Sequence, residues 1–137
     1  MFMVGAAPLI AGSFIRLWCY RTMGRQFTHE VSILRDHHLV ATGPYAYIRH
    51  PAYTASFMML FSSTVLLFCW DGWFRTCDMG STRLVWLVHV WDIVAPYVAY
   101  ALYKRAPVED EQLQKHFGKE WEAYRLRVPY KFVPYVM

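Results

Sequence analysis

Charged residues are scarce in this chain. Of its 137 residues, 18 % are Asp, Glu, Lys or Arg, where soluble domains average about 25 %. Hydrophobic residues make up 56 % and aromatics 18 %, and the apolar residues are gathered into blocks rather than spread. Both features argue against a soluble core and point to a membrane protein. The formal charge of +4 is modest. The basic residues flank apolar runs and form no separate basic module, which argues against nucleic acid binding. Cysteine is sparse too. Cys19, Cys69 and Cys77 show no CxxC pair and no metal-ligand spacing, and their number is odd. Neither a structural disulfide nor a zinc site is expected. Cys19 and Cys69 lie in or near apolar segments, where cysteine behaves as a small hydrophobe. No serine sits in a glycine-flanked elbow, and there is no glycine-rich phosphate loop, so serine-nucleophile and P-loop chemistry lack support. Internal repeats and low-complexity stretches are absent. The first apolar stretch has no basic segment before it and no convincing cleavage site, so it reads as a span that stays rather than a signal peptide.

Three apolar segments are present: Met1 to Tyr20, Ala52 to Trp70 and Leu84 to Tyr103. At 1.5 Å per residue each covers roughly 28–30 Å, about one hydrocarbon core. The expected fold is all-α: a polytopic integral membrane protein forming one domain over 1–137, with transmembrane helices at about 1–20, 52–70 and 84–103 and a C-terminal amphipathic helix. The first segment carries Gly5, Pro8, Gly12 and Arg16, and Arg16 must snorkel to the interface or find a partner. The third contains His89, Asp92 and Pro96. The short connection from Asp71 to Arg83 makes the second and third an antiparallel pair. Four basic residues lie between Arg21 and Pro51, seven from Lys104 onward, and two between Asp71 and Arg83. Three spans place the first two groups on one side, which should be cytoplasmic.

In the tail, Leu113, Phe117, Trp121, Tyr124 and Val128 follow a helical spacing. Glu109, Asp110 and Glu111 come just after Pro107, where acidic residues suit a helix N-terminus. Gly118 interrupts at a modest cost, and Val128-Pro129 should end the helix. By itself this pattern describes a helix lying on the membrane or packed on the bundle.

Arg49-His50-Pro51 stands directly before the second apolar run. Pro51 suits the first turn of a helix, where its missing N–H costs nothing. That would hold His50 and Arg49 at the membrane–water boundary. A positive flank with aromatic anchors is the plain alternative. His29, His37, His38 and His50 share the cytoplasmic region, but no pair has the i, i+4 spacing of a zinc helix and no cysteine joins them, so no metal is expected. What remains is a polar shell of two parts, His37 to Tyr53 and Arg105 with Glu109, both meeting the membrane on one side and able to hold a charged cofactor beside lipid.

Two signatures carry a resemblance. The first is Leu39-Val40-Ala41-Thr42-Gly43-Pro44-Tyr45 followed by Arg49-His50-Pro51-Ala52-Tyr53. The second is Arg105, then Glu109-Asp110, Leu113, Phe117-Gly118, Glu120-Trp121, Tyr124 and Val128-Pro129. Upstream, Gly24-Arg25-Gln26-Phe27-Thr28 fits as well. In this the chain resembles the isoprenylcysteine carboxyl methyltransferases, within the wider group of membrane-embedded methyltransferases that includes phospholipid methyltransferases. The resemblance implies a multi-pass enzyme of the endoplasmic reticulum membrane with its active site on the cytoplasmic side. It would use S-adenosyl-L-methionine to methylate the carboxylate of a C-terminal prenylated cysteine, with C-terminally prenylated proteins as substrates and partners. By motif position, Ser32, His37, His38, Leu39, Val40, Tyr45, His50, Pro51, Ala52, Tyr53 and Glu109 would contact the cofactor. Arg105 would face the substrate carboxylate. Three departures stand out. Glu109-Asp110 replaces the commoner Glu-Glu pair and shortens one arm. Pro107 falls between Arg105 and Glu109, which breaks the presumption that they share a helix turn. The N-terminus is short, which leaves a truncated, non-catalytic paralogue as one alternative. A lipid methyltransferase is another; its amine acceptor would have to be deprotonated and would not favour Arg105 nearby.

Overall fold

Pro51 occupies the first position of a helix, as its ring geometry favours. That helix, α2 (Pro51–Phe68), anchors everything around it. The computed structural model describes residues 2–24, 39–68 and 85–134. Within them α1 (Phe2–Met23) precedes a short 3-10 turn over Gly43–Ala46, then α2, then α3 (Val85–Phe117), then α4 (Lys119–Arg127). The described residues contain helix and no strand.

α1 and α2 pack antiparallel along a stripe of small residues. Gly5, Gly12 and Cys19, seven apart, are the buried positions of α1, and a seven-residue repeat keeps one face turned toward a partner helix. A Cβ at Gly5 would stand 2.7 Å from the Leu66 side chain, and one at Gly12 would stand 3.0 Å from the Ala55 carbonyl oxygen. Glycine is what allows this approach. Arg16, the one formal charge in the apolar part of α1, reaches across the same interface. Its guanidinium donates to Ser56 Oγ and to the Ala52 carbonyl (3.4 Å), and its Nε to the Tyr20 hydroxyl (3.0 Å). The partner expected of it is therefore α2. Other hydroxyls bond their own helix one turn back: Ser13 to Leu9, Ser63 to Met59 and Thr64 to Leu60. This satisfies them where water is scarce. α1, over Met3–Met23, and α2 are each long and apolar enough to cross a membrane, and only 17 % of each apolar window is buried within the chain. A soluble core helix would be mostly covered.

The third apolar segment and the start of the tail are one element. α3 runs unbroken for 33 residues through Pro96 and Pro107, so the expected boundary near Tyr103 does not exist. Proline in a helix interior forfeits one hydrogen bond and crowds the carbonyl four residues back, yet the helix continues. Arg105 and Glu109 therefore lie one turn apart on a single face, which Pro107 had left open in the sequence. The break comes later, at Gly118 (φ 51°), a left-handed conformation that glycine adopts without penalty. The tail is consequently two helical pieces rather than one. α4 ends before Val128-Pro129 as expected, and its inward stripe of Trp121, Tyr124 and Val128 packs with Leu113 and Phe117 against Leu39 and Ala41. Trp91 ties α3 to α2 through an indole N–H donated to Thr64 Oγ1 (3.2 Å).

Candidate functional site

The N-terminus of α2 meets the polar stretch of α3, and the two sequence signatures come together there. Asp110, 8 % exposed, takes Arg49 and His50 on one carboxylate. Arg49 Nη1 donates to Oδ2 at 2.7 Å, and His50 Nε2 lies 3.0 Å from Oδ1. Such charge-assisted contacts are the strong class of hydrogen bond. Glu109 sits beside this pair. Tyr53 donates its hydroxyl to Glu109 Oε2 at 2.8 Å, and His50 Nδ1 is 3.6 Å from the same oxygen. Arg105 completes the group, close enough to act electrostatically on both Tyr53 and Glu109. The Tyr53 ring stacks on His50 at 5.5 Å with 6° between planes. The Arg49 guanidinium also lies 5.9 Å from the centre of the Trp121 ring, which joins the α4 cluster to the site.

Electrostatics follow from this packing. Burial works against a charged His50 imidazole, but the carboxylates of Asp110 and Glu109 outweigh it and hold the ring above its ordinary range. Burial likewise works against an ionised Glu109, and His50, Tyr53 and Arg105 together keep its carboxyl below the usual range. Arg49 and, when protonated, His50 thus face two carboxylates, those of Glu109 and Asp110. Each compensates the other in a place where an unpaired charge would be costly.

A third segment completes the enclosure. Backbone carbonyls of Pro129, Tyr130, Lys131 and Phe132 accept hydrogen bonds in turn from Arg49 Nη2 (3.2 Å), Arg49 N (2.9 Å), His50 N (2.9 Å) and Thr54 Oγ1 (2.6 Å). The two backbone donors stand just ahead of the first helical residue of α2.

The expected residues divide accordingly. His50, Tyr53, Glu109 and Arg105 converge, and Pro51 lies buried at the start of α2. The Ala52 carbonyl turns to Arg16 of α1. Leu39 packs on the α4 cluster, and Val40 beside it is half-buried. Tyr45 is buried, its hydroxyl on Met23 Sδ (3.0 Å) and its carbonyl accepting from the Tyr124 hydroxyl (2.8 Å). Burial raises the pKa of both phenols, that of Tyr124 to about 12. Ser32, His37 and His38 lie outside the described residues. Sequence reasoning missed the site roles of Asp110, Arg49 and the 129–132 segment. Arg49 beside His50 was a visible signal; nothing in the sequence marked the carbonyls. Among the described residues no group of three His, Cys, Asp or Glu side chains is placed to hold a metal ion.

The arrangement offers a carboxylate that is partly open (Glu109, 32 % side-chain exposure) beside Tyr53 and His50, with a guanidinium one helical turn away. It suits a small molecule bearing positive charge next to one bearing a carboxylate. The family model described as isoprenylcysteine carboxyl methyltransferase (ICMT) family matches residues 3–115. Protein-S-isoprenylcysteine O-methyltransferase B of Arabidopsis thaliana is 31 % identical over 134 residues, 96 % of this chain and 58 % of that protein. Proteins named protein-S-isoprenylcysteine O-methyltransferase are similar in Schizosaccharomyces pombe (32 % identity; 88 % of this chain, 44 % of that one) and Saccharomyces cerevisiae (34 %; 91 % and 46 %). The chain spans about half the length of the curated relatives it matches. No solved structure matches it. With the family match running across all three apolar segments and both signatures meeting at one junction, the chain belongs to the isoprenylcysteine carboxyl methyltransferase family.

Proposed function

We propose that this chain carries the methyl-transfer site of a protein-S-isoprenylcysteine O-methyltransferase, which uses S-adenosyl-L-methionine to esterify the carboxylate of a C-terminal prenylated cysteine. The observation that carries the reading is the junction itself. Residues 56 to 61 apart in sequence, Tyr53 with Glu109, His50 with Asp110 and Arg49 with Asp110, form one polar cluster at the end of an apolar helix.

The donor fits these residues. Glu109 is the accessible anion of the cluster and would accept from its ammonium or ribose hydroxyls. Tyr53 and His50 would bound its polar end, while Arg49 and Asp110 engage each other beneath. When bound, S-adenosyl-L-methionine supplies an electrophilic methyl group on a sulfonium. The acceptor carboxylate is already ionised near neutral pH, so no residue has to remove a proton from it. Arg105 would orient it through the two-pronged geometry of a guanidinium. The prenyl chain would remain in the bilayer, where each buried CH₂ contributes about 0.8 kcal/mol.

This reading takes the protein as multi-pass, in the endoplasmic reticulum membrane, with α1, α2 and the apolar half of α3 as three spans. Eleven of the fourteen basic residues fall in the two regions that would then share the cytoplasmic side with the site. Binding of labelled donor to the full chain in lipid nanodiscs separates an enzyme from a scaffold. Glu109→Ala should weaken that binding by about 1–3 kcal/mol, the usual cost of losing a contact in a partly desolvated site. Arg105→Lys should leave it nearly unchanged while lowering turnover strongly. Equal donor affinity in Glu109→Ala and the parent would contradict the assignment.

A further inference from the structure

The segment from Pro129 to Phe132 lies beyond the family-model match, which ends at residue 115, yet it is bound to the heart of the site. Four successive carbonyls each accept one hydrogen bond, all from Arg49, His50 or Thr54. Two of them, those of Tyr130 and Lys131, serve the backbone N–H groups just ahead of α2, which no helical carbonyl would satisfy, and the other two take the side chains of Arg49 and Thr54. The segment is therefore fixed in register against the residues that carry the charge. Its last side chain is the buried one. Phe132 is 8 % exposed and stands between α2 and α3. Its ring lies 5.9 Å from His50, 5.5 Å edge-on from Phe57 and 6.0 Å from Tyr103. The His50 ring thus packs on both Tyr53 and Phe132, with its two nitrogens turned to Asp110 and Glu109.

We propose that Phe132 is a positioning residue that acts through His50: strapped to α2 by the 129–132 carbonyls, its ring fills the gap between α2 and α3 and keeps the imidazole on the Asp110 and Glu109 carboxylates. An aromatic wedge is suited to this task, because packed interiors leave little room for a ring to shift. Removing the wedge frees the imidazole on that side and admits water to the ion cluster. The proposed role is one of shape, so an aliphatic side chain of similar reach performs much of it.

The test has two arms on the full chain in lipid nanodiscs. In the first, no ligand is present and the histidines are isotope-labelled. Among the six histidines, the His50 ring resonances, assigned with His50→Gln, should move in Phe132→Ala while the other five stay. Phe132→Leu should bring them most of the way back. Thr54→Val removes the hydroxyl that donates to the Phe132 carbonyl and, at 3.3 Å, to the His50 carbonyl, so its effect is read on the imidazole ring and not on the His50 backbone. It should shift the same resonances less, and it decides the matter if Phe132→Ala does not insert. The second arm rests on the donor reading above and uses S-adenosylhomocysteine as probe. Phe132→Ala should weaken its binding about tenfold, the loss of roughly one well-placed polar contact. In a His50→Ala background the same change should alter affinity less than twofold, because a residue acting through another has nothing left to position. His50 resonances unmoved in both Phe132→Ala and Thr54→Val, or a full tenfold loss persisting without His50, would overturn the proposal. Failure of the parent to bind the probe would instead count against the donor, and the ring resonances would still decide the role of Phe132.

Discussion

Asp110 is the residue on which the cluster turns, because its single carboxylate answers both Arg49 and His50. All three are buried. Deleting one member of a buried ion group leaves the others desolvated and uncompensated, which typically costs about 3–5 kcal/mol. Asp110→Ala should therefore lower stability by that amount in chemical unfolding followed in detergent, and a loss below about 1 kcal/mol would mean that water already serves the cations. The same cluster gives stability a pH profile. The folded-state pKa of His50 is raised, so its contribution is complete below the ordinary imidazole value and is lost as pH rises through the raised one. The Glu109 value is lowered, so its contribution is complete above the ordinary carboxylate value and is lost as pH falls through the lowered one. Both are present in full between about pH 4.3 and 6.5. Unfolding midpoints of the parent should fall on either side of that window, and His50→Gln should abolish the alkaline fall. Of these residues, Arg49-His50-Pro51 stood out in the sequence as a cation, an imidazole and a proline before an apolar run, although a plain positive flank reads the same way. Asp110 was visible only as a shortened arm of an acidic pair. Its partners lie 60 and 61 positions away, and no local pattern reports a contact over that distance.

At the scale of elements, the apolar runs gave the helices and proline misdirected one boundary. Local rules stop a helix near Pro107, but α3 continues through it. Pro107 is exposed, while Ala106 is fully buried and Asp110 is tied to α2. The residues around the proline are held by tertiary contacts that outweigh a locally unfavourable step. Pro107→Ala should then preserve the Arg105–Glu109 juxtaposition and donor binding. It should also raise stability by up to about 3 kcal/mol, the interior-helix difference between the two residues; a destabilised variant with altered binding would show that the proline shapes the site. Gly118 behaves in the opposite sense. It looked like a small local cost, and its left-handed backbone instead ends α3 and starts α4. The stripe Leu113, Phe117, Trp121, Tyr124, Val128 was read correctly as one apolar face. Periodicity survives a break when both pieces pack on the same surface.

For the whole molecule, a charged junction is set at the end of apolar helices whose outward faces stay uncovered. Met3, Ile10 and Phe14 on α1, Phe61 on α2, and Trp86, Ile93 and Tyr97 on α3 are all more than half exposed, a surface suited to lipid rather than water. In the proposed function, such a surface would keep a lipid-borne substrate in the bilayer and bring only its polar end to the ions. The acceptor is what distinguishes the reading from a lipid-amine methyltransferase on the same scaffold. In the proposed function a carboxylate arrives ionised and Arg105 would orient it, whereas a lipid amine arrives as an ammonium, which that guanidinium would repel. The decisive measurement is methyl transfer by the full chain in nanodiscs from labelled S-adenosyl-L-methionine, with a farnesylated cysteine analogue and phosphatidylethanolamine offered in parallel. The account predicts a base-labile methyl ester on the cysteine analogue, little label on the amine, and a strong loss of ester formation in Arg105→Lys. Label appearing on the amine instead, at a rate indifferent to Arg105→Lys, would contradict it.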